Sequence, residues 1–343
     1  MEGTVVIAGG GMVGLEIALR LERKGFEVKL VEPREEMFFY PLAHRLVKGL
    51  PASEATISYD KKFEGRGIEH VKSEFEEVLP DEKVAVTSER DLEYDYLVLA
   101  YGVNYEGVWP SRSVDSTDPE QLEEFSKEDK GLRVLVVGGG ATGVEMAAGL
   151  NENGFEVELV GSRDELLPDM PSKASRAAEK YLEASGVNLR LGRRVQDVSE
   201  DMEVTTDDGS FHVDRVLWAG GHRARELIRS SGEGREGLEV DRFNRASMED
   251  VFAAGDCVSY PGKKDRAVHA LVEAKTVSEN IVRTEKDRSL KERNVRFEPT
   301  LIDVGNHKAI LEFSGLTFSG LLPYLIESIG VEKRYMLMRK HLL

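Results

Sequence analysis

VVIAGGGMVGLEIALRLERKGFEVKLVE (Val5–Glu32) returns 129 residues later as VLVVGGGATGVEMAAGLNENGFEVELVG (Val134–Gly161). The two stretches align without a gap, and fourteen of their 28 positions are identical. Unrelated segments share roughly two by composition. Each copy opens on a short apolar run of the kind expected for a buried parallel strand. Each continues through G-x-G-x-x-G, namely Gly9, Gly11, Gly14 and then Gly138, Gly140, Gly143. A segment with helical apolar spacing follows, and FEVKLV or FEVELV closes a βαβ unit. In such a unit the first glycine permits the tight turn and the second lets backbone approach a pyrophosphate. The third lets the helix pack closely on the strand. The helix N-terminus then offers free N–H groups and a positive dipole end to the diphosphate. A lone motif is weak; two, each between a strand and a helix, predict two dinucleotide sites.

The last position separates the copies. Glu32 lies where an acidic side chain accepts hydrogen bonds from the ribose of an adenine nucleotide. The second copy ends instead at Gly161, followed by Ser162 and Arg163. Without the carboxylate a 2′-phosphate meets no repulsion, and Arg163 can pair with one or remain a solvated loop residue. NADH and NADPH both stay open as the second nucleotide.

Composition narrows the class. The chain has 343 residues, 41% hydrophobic and 32% charged, with a net charge of −17. That length suits two substantial domains and a short tail. The charge argues against nucleic-acid binding. No run reaches the roughly 18 apolar residues of a membrane-spanning helix and no secretory signal is visible, so a cytoplasmic protein is expected. Cys257 is the single cysteine, which excludes an intramolecular redox disulfide. We read it as a small packed residue; no metal site is read.

Along the chain, residues 35–51 form an aromatic and apolar segment leading to a helix, and residues 56–94 read as strands and turns. YLVLA (96–100) is a buried strand ending at Tyr101–Gly102. A helix over 174–185 is capped by Gly186, a hairpin turns at Asp208–Gly209, and a strand over 216–219 runs into Gly220. VFAAGD (251–256) is a late strand, followed by a helix over 267–281. No low-complexity linker divides the chain. The second nucleotide domain therefore reads as inserted into the first.

Two such units, a strand ending in Ala-Tyr-Gly and the late VFAAGD together resemble the flavoproteins with two dinucleotide-binding domains. The resemblance implies an α/β fold of two Rossmann-like domains plus a short C-terminal segment. An FAD domain (1–109 and 235–296) would be interrupted by an NAD(P)H domain (110–234), with residues 297–343 as the tail. It implies FAD on Gly9, Gly11, Gly14, Glu32, Gly102, Gly255 and Asp256, the last on the ribityl and phosphate part. It implies NADH or NADPH on Gly138, Gly140, Gly143, Arg163 and Gly220. FFYPLAHRLVKG (38–49), GGGATGVEMA (138–147), VLWAGGHRA (216–224) and the tail from Phe318 look more narrowly like type II NADH dehydrogenases and quinone reductases of the apoptosis-inducing-factor type. By that likeness Pro41 lies near the flavin ring, and Glu145 sits beside the nicotinamide–flavin contact, orienting the donor or relaying a proton.

The chain departs from that family in the helix after Gly255–Asp256. AVHALVEAKT carries Val268 where a glutamine is usual near the quinone, with His269 beside it. His269 reads either as a proton donor to the acceptor or as a packed residue. In the tail, Leu321, Leu322, Leu325, Ile326 and Ile329 recur at helical spacing. Residues 331–343 hold Lys333, Arg334, Arg339 and Lys340 against one acid, Glu332. Such a segment suits an anionic membrane surface, reached through Phe318–Leu343, or a helix docked on its own core or on a second subunit in a homodimer. The expectation is an FAD-dependent NAD(P)H:quinone oxidoreductase, peripheral on the inner face of the cell membrane. A soluble reductase of a ferredoxin-like or other protein acceptor, and an NAD(P)H-binding redox sensor, fit the same residues.

Overall fold

The computed structural model describes residues 2–105, 113–220, 222–224, 237–264, 266–295 and 299–339. The expected domain limits at 109/110, 234/235 and 296/297 lie outside the described residues. Two five-stranded parallel sheets organise the chain. The first runs in the order Val251–Ala253, Tyr96–Leu99, Glu2–Ala8, Phe26–Val31, Ile68–Val71. The second runs Ser113–Asp115, Arg215–Trp218, Arg133–Val137, Glu156–Gly161, Asn188–Leu191. Val5, Val6, Ile7 and Ala8 are all fully buried, as a central parallel strand covered on both faces requires. In each sheet the first strand of the repeat lies at the centre, so the chain order reverses beside it. Ligands of open α/β sheets bind at that switch point, outside the carboxyl ends of the strands.

The repeat helices Met12–Glu22 and Ala141–Glu152 lean on these sheets. The helix Ala267–Glu285 packs against the first of them. It runs a turn beyond the expected end. The helix Ser172–Ser185 ends at Gly186 in the left-handed conformation, and the antiparallel strands Glu203–Thr206 and Gly209–His212 form the expected hairpin. Residues 59–63 are a correction. They form a helix because Tyr59 and Phe63, four residues apart, bury on one face with tilted rings 5.8 Å apart.

The tail adds a three-stranded antiparallel sheet that the sequence reading lacked: Thr300–Asp303, Ala309–Phe313 and Leu316–Gly320. Ser314 and Gly315, with φ of 51° and 81°, make the two-residue turn that tight hairpins use. The helix Leu321–Arg339 follows. One of its faces docks: Tyr335 lies 5.3 Å from the Phe39 ring and donates to the Thr56 carbonyl, and Met338 is fully buried with its carbonyl held by Lys62. Arg334, read as part of a basic flank, turns inward to Glu16 at 2.6 Å. The opposite face leaves Leu321, Leu322, Leu325, Ile326 and Ile329 exposed. Docking and an outward apolar face, posed as alternatives, coexist on one helix.

A methyl group on Gly14 would overlap the carbonyl oxygen of Gly9, and one on Gly143 that of Gly138. Gly14→Ala and Gly143→Ala should therefore each lose about 1–3 kcal/mol in urea unfolding, as overpacked sites do; unchanged midpoints would contradict this packing.

Candidate active site

The two glycine motifs are built alike. Gly9 has φ 103° and Gly138 φ 123°, conformations that suit glycine. A methyl at either would strike the end of the neighbouring strand, at Ala100–Tyr101 or at Ala219–Gly220. Gly11 and Gly140 differ. Their backbone is one any residue adopts, and a methyl there meets no heavy atom within 4 Å. Neither conformation nor protein packing calls for glycine at these two places. What remains is the space itself, beside the free amides of a helix N-terminus, which fits an approaching diphosphate.

Where the copies diverge in sequence they diverge in contacts. Glu32 is buried and accepts from the Gly10 amide at 2.9 Å and from Nε of Arg34 at 2.8 Å. Burial pushes its carboxyl up, but Arg34 and the amides of Gly10 and Arg34 outweigh that and hold it below the usual range. The Tyr59 hydroxyl donates to the Gly10 carbonyl at 2.6 Å, a partner the sequence reading missed. At Gly161 a side chain would begin 3.2 Å from Leu191 and 3.6 Å from Gly139. The second copy thus has no acceptor at this place. Arg163 is exposed on the loop that follows, its carbonyl accepting from the Gly192 amide at 2.7 Å.

Gly255 closes the first site from the far side. It has φ 90°, and a methyl there would meet Val13 of the motif helix at 3.4 Å, so the exposed Asp256 stands beside the first glycine motif. Gly102, with φ 66°, follows the adjacent strand. Beneath the turn lies a network that sequence reasoning missed. The fully buried Glu273 accepts from the Gly255 amide, the Tyr260 hydroxyl and Lys263, each at 2.7 Å. His269 is buried, with Nδ1 3.4 Å from the Tyr260 hydroxyl. Glu273 was detectable as a charge in the apolar stripe His269, Glu273, Val277, Ile281. Cys257 donates to the carbonyls of Ala254 and Leu99, and burial pushes its thiol up to about 12. It is a packed residue.

The helix that follows Pro41 packs against the helix that carries Glu145. Pro41 lies in a single 3₁₀ turn, Tyr40–Leu42, that leads into the helix Ala43–Leu46. That helix crosses Ala141–Glu152 closely: a methyl on Gly149 would come within 2.7 Å of the His44 carbonyl. Glu145, one turn before Gly149, therefore faces the segment that follows Pro41. The Asp303 amide donates to Glu145 at 3.4 Å. His44, Asp303 and Glu327, all buried, bring side-chain polar atoms within 4.8 Å of one another. Burial, then the charges of Glu327 and Asp303, push the Glu145 carboxyl up to about 8. None of His44, Asp303 and Glu327 was singled out from the sequence, because each comes from a different part of the chain.

Residues 3–274 match the pyridine nucleotide-disulphide oxidoreductases. The chain belongs to that family. It is an FAD- and NAD(P)H-dependent oxidoreductase, with a single cysteine in place of the pair the family description implies. It is similar to the type II NADH:quinone oxidoreductase of Haemophilus influenzae, 26% identical over 89% of this chain and 86% of that one. It is 28% identical to ferroptosis suppressor protein 1 of Taeniopygia guttata, over 94% of this chain and 92% of that one. The sulfide:quinone oxidoreductase of Aquifex aeolicus shares the fold, with a TM-score of 0.85 at 16% identity, covering 98% and 92% of the two chains.

Two measurements check the site. Gly11→Ala should leave urea unfolding of the flavin-free chain unchanged while weakening FAD binding at least tenfold; unweakened binding would contradict the cradle. A carboxyl raised in the folded state favours folding most below its unfolded value, and that favour is lost as pH rises between 4.5 and about 8. The Tm of Glu145→Gln should therefore gain on the wild type across that window; a constant gap would contradict it.

Proposed function

We propose that this protein is an FAD-dependent NAD(P)H:quinone oxidoreductase working at the surface of an anionic membrane. The observation that carries the reading is the pairing of two facts. The chain has one cysteine and so no redox disulfide, and its C-terminal helix turns an apolar row outward while its buried side sets Glu327 beside His44 and Asp303. Bound flavin supplies the two-electron chemistry between nicotinamide and acceptor.

The protein's part is binding and orientation. Gly9, Gly11 and Gly14 open backbone amides to the flavin diphosphate, Glu32 takes the adenosine ribose, and Gly255 with Asp256 closes over the ribityl chain beside Gly102. Pro41 borders the ring. Gly138, Gly140, Gly143 and Gly220 do the same for the nicotinamide nucleotide. Gly161 and the exposed Arg163 leave a 2′-phosphate unopposed, so NADPH is accepted alongside NADH. Glu145 holds the proton nearest the junction. His269 enters through the Tyr260–Glu273 network, which fixes the Gly255 amide.

The membrane part rests on Leu322 and Ile329, 68% and 65% exposed, with Lys333 and Arg339 exposed on the same helix. No helix among the described residues is long and apolar enough to cross a membrane. A face of this kind is held in the interface by buried apolar area and by roughly 1 kcal/mol per basic residue near anionic lipid.

Purified yellow protein should oxidise NADH or NADPH when a quinone is present, with little turnover without one. Rapid flavin reduction without quinone turnover, or turnover only with a ferredoxin-like protein, would overturn the reading. Leu322→Ser combined with Ile329→Glu should release the protein from phosphatidylserine vesicles with its flavin retained; undiminished binding would defeat the membrane assignment.

A further inference from the structure

Gly255 turns the chain at the first nucleotide site, and one buried ion pair holds both polar groups of its backbone. Its amide donates to the Glu273 carboxylate at 2.7 Å, and its carbonyl accepts from Lys263 Nζ at 2.9 Å. Lys263 also donates to Glu273, at 2.7 Å. Glu273 stands on the helix Ala267–Glu285. Lys263 ends a tight turn over residues 260–263, with Gly262 at φ 82° and the Lys263 amide donating to the Tyr260 carbonyl at 3.0 Å. That turn brings Lys263 Nζ and the Tyr260 hydroxyl onto the same oxygen, Oε1 of Glu273. The Arg293 guanidinium covers the Tyr260 ring, 3.4 Å from its centroid, and donates to Asn244 Oδ1 at 2.9 Å. Asn244 in turn donates to the Ala253 carbonyl at 2.8 Å, which holds the strand end just before the turn.

Such a pair is a poor source of stability. The Lys263 and Glu273 side chains are 9% and 0% exposed. Desolvating two charges offsets most of their attraction, so apolar residues of similar volume would support the fold as well. Apolar residues cannot, however, hold an N–H and a C=O. Gly255 sits at φ 90°, and an unheld glycine takes either sign of φ with similar ease. Its carbonyl shares one rigid peptide plane with the Asp256 amide. Lys263 therefore fixes the plane from which the exposed Asp256 departs, beside the first glycine motif.

We propose that Lys263 and Glu273 are positioning residues of the flavin site, and that their ion pair acts through Asp256 to retain FAD. The proposal rests on the reading that sets Asp256 against the ribityl and phosphate part of the flavin nucleotide.

FAD release from the diluted holoenzyme, followed by the rise of flavin fluorescence, measures retention. Urea unfolding of the flavin-stripped chain measures the fold. Lys263→Met combined with Glu273→Leu should keep the urea midpoint while FAD leaves about tenfold faster, the size of one lost charge-assisted hydrogen bond. Asp256→Asn alone should also speed release about tenfold. The triple variant should be no faster than the faster of these two, because the three residues act as one unit. Unchanged release in the double variant, factors that multiply in the triple variant, or faster release only where the urea midpoint falls would overturn the proposal. A double variant that does not fold would do the same, since the pair would then be a folding requirement. An Asp256→Asn enzyme that releases FAD no faster defeats the Asp256 placement itself, and the proposal with it; multiplying factors leave that placement standing and defeat the positioning role alone.

Discussion

A helix glycine pressed onto a strand-end carbonyl is the contact on which the rest depends. At Gly14 and at Gly143 the backbone of the repeat helix lies where any side chain would overlap the first glycine of its own motif. That closeness brings each helix N-terminus to the switch point of its sheet, where two neighbouring strands diverge. The amides then point into space lined by Gly11 or Gly140, which protein atoms leave open. Every other feature of the nucleotide sites is placed relative to those two contacts. Gly255 closes over Val13, Glu32 reaches Gly10, and Ala219–Gly220 abuts Gly138.

Given two sites so placed, the absence of a cysteine pair decides how the halves communicate. Cys257 is the single cysteine, buried and bonded to backbone carbonyls, so the chain carries no redox disulfide between them. Acidic side chains gather at the junction instead. The close crossing at Gly149 brings the helix after Pro41 onto the helix bearing Glu145, and the C-terminal helix lays Glu327 against them. One helix thereby has two environments, a polar and aromatic face toward the core and an apolar face away from it.

How much of this the sequence carried depends on range. The glycine motifs, Glu32, the Gly255–Asp256 turn and the Asp208–Gly209 hairpin are local patterns whose chemistry is complete within a few residues. The apolar stripe Leu321, Leu322, Leu325, Ile326, Ile329 was legible as a helix, but periodicity does not say which side faces the core. Here the buried side is Pro323, Glu327, Tyr335 and Met338, a set with no apolar rhythm. Arg334 looked like a surface cation because Glu16, its partner, lies 318 residues away. Glu145 was found through its motif, yet His44, Asp303 and Glu327 come together only by tertiary packing. The hairpin at Ser314–Gly315 was missed although its turn residues are diagnostic, because LTFSG is largely exposed and lacks a buried alternation.

The proposed function requires one electron store, a single bound flavin that hands electrons directly to the acceptor. Anaerobic reductive titration of the holoenzyme with NADH, followed by flavin absorbance, tests this most directly. The account predicts complete bleaching at one NADH per flavin, with no further reducing equivalents taken up from dithionite. Uptake of a second two-electron equivalent would reveal another redox centre and contradict it.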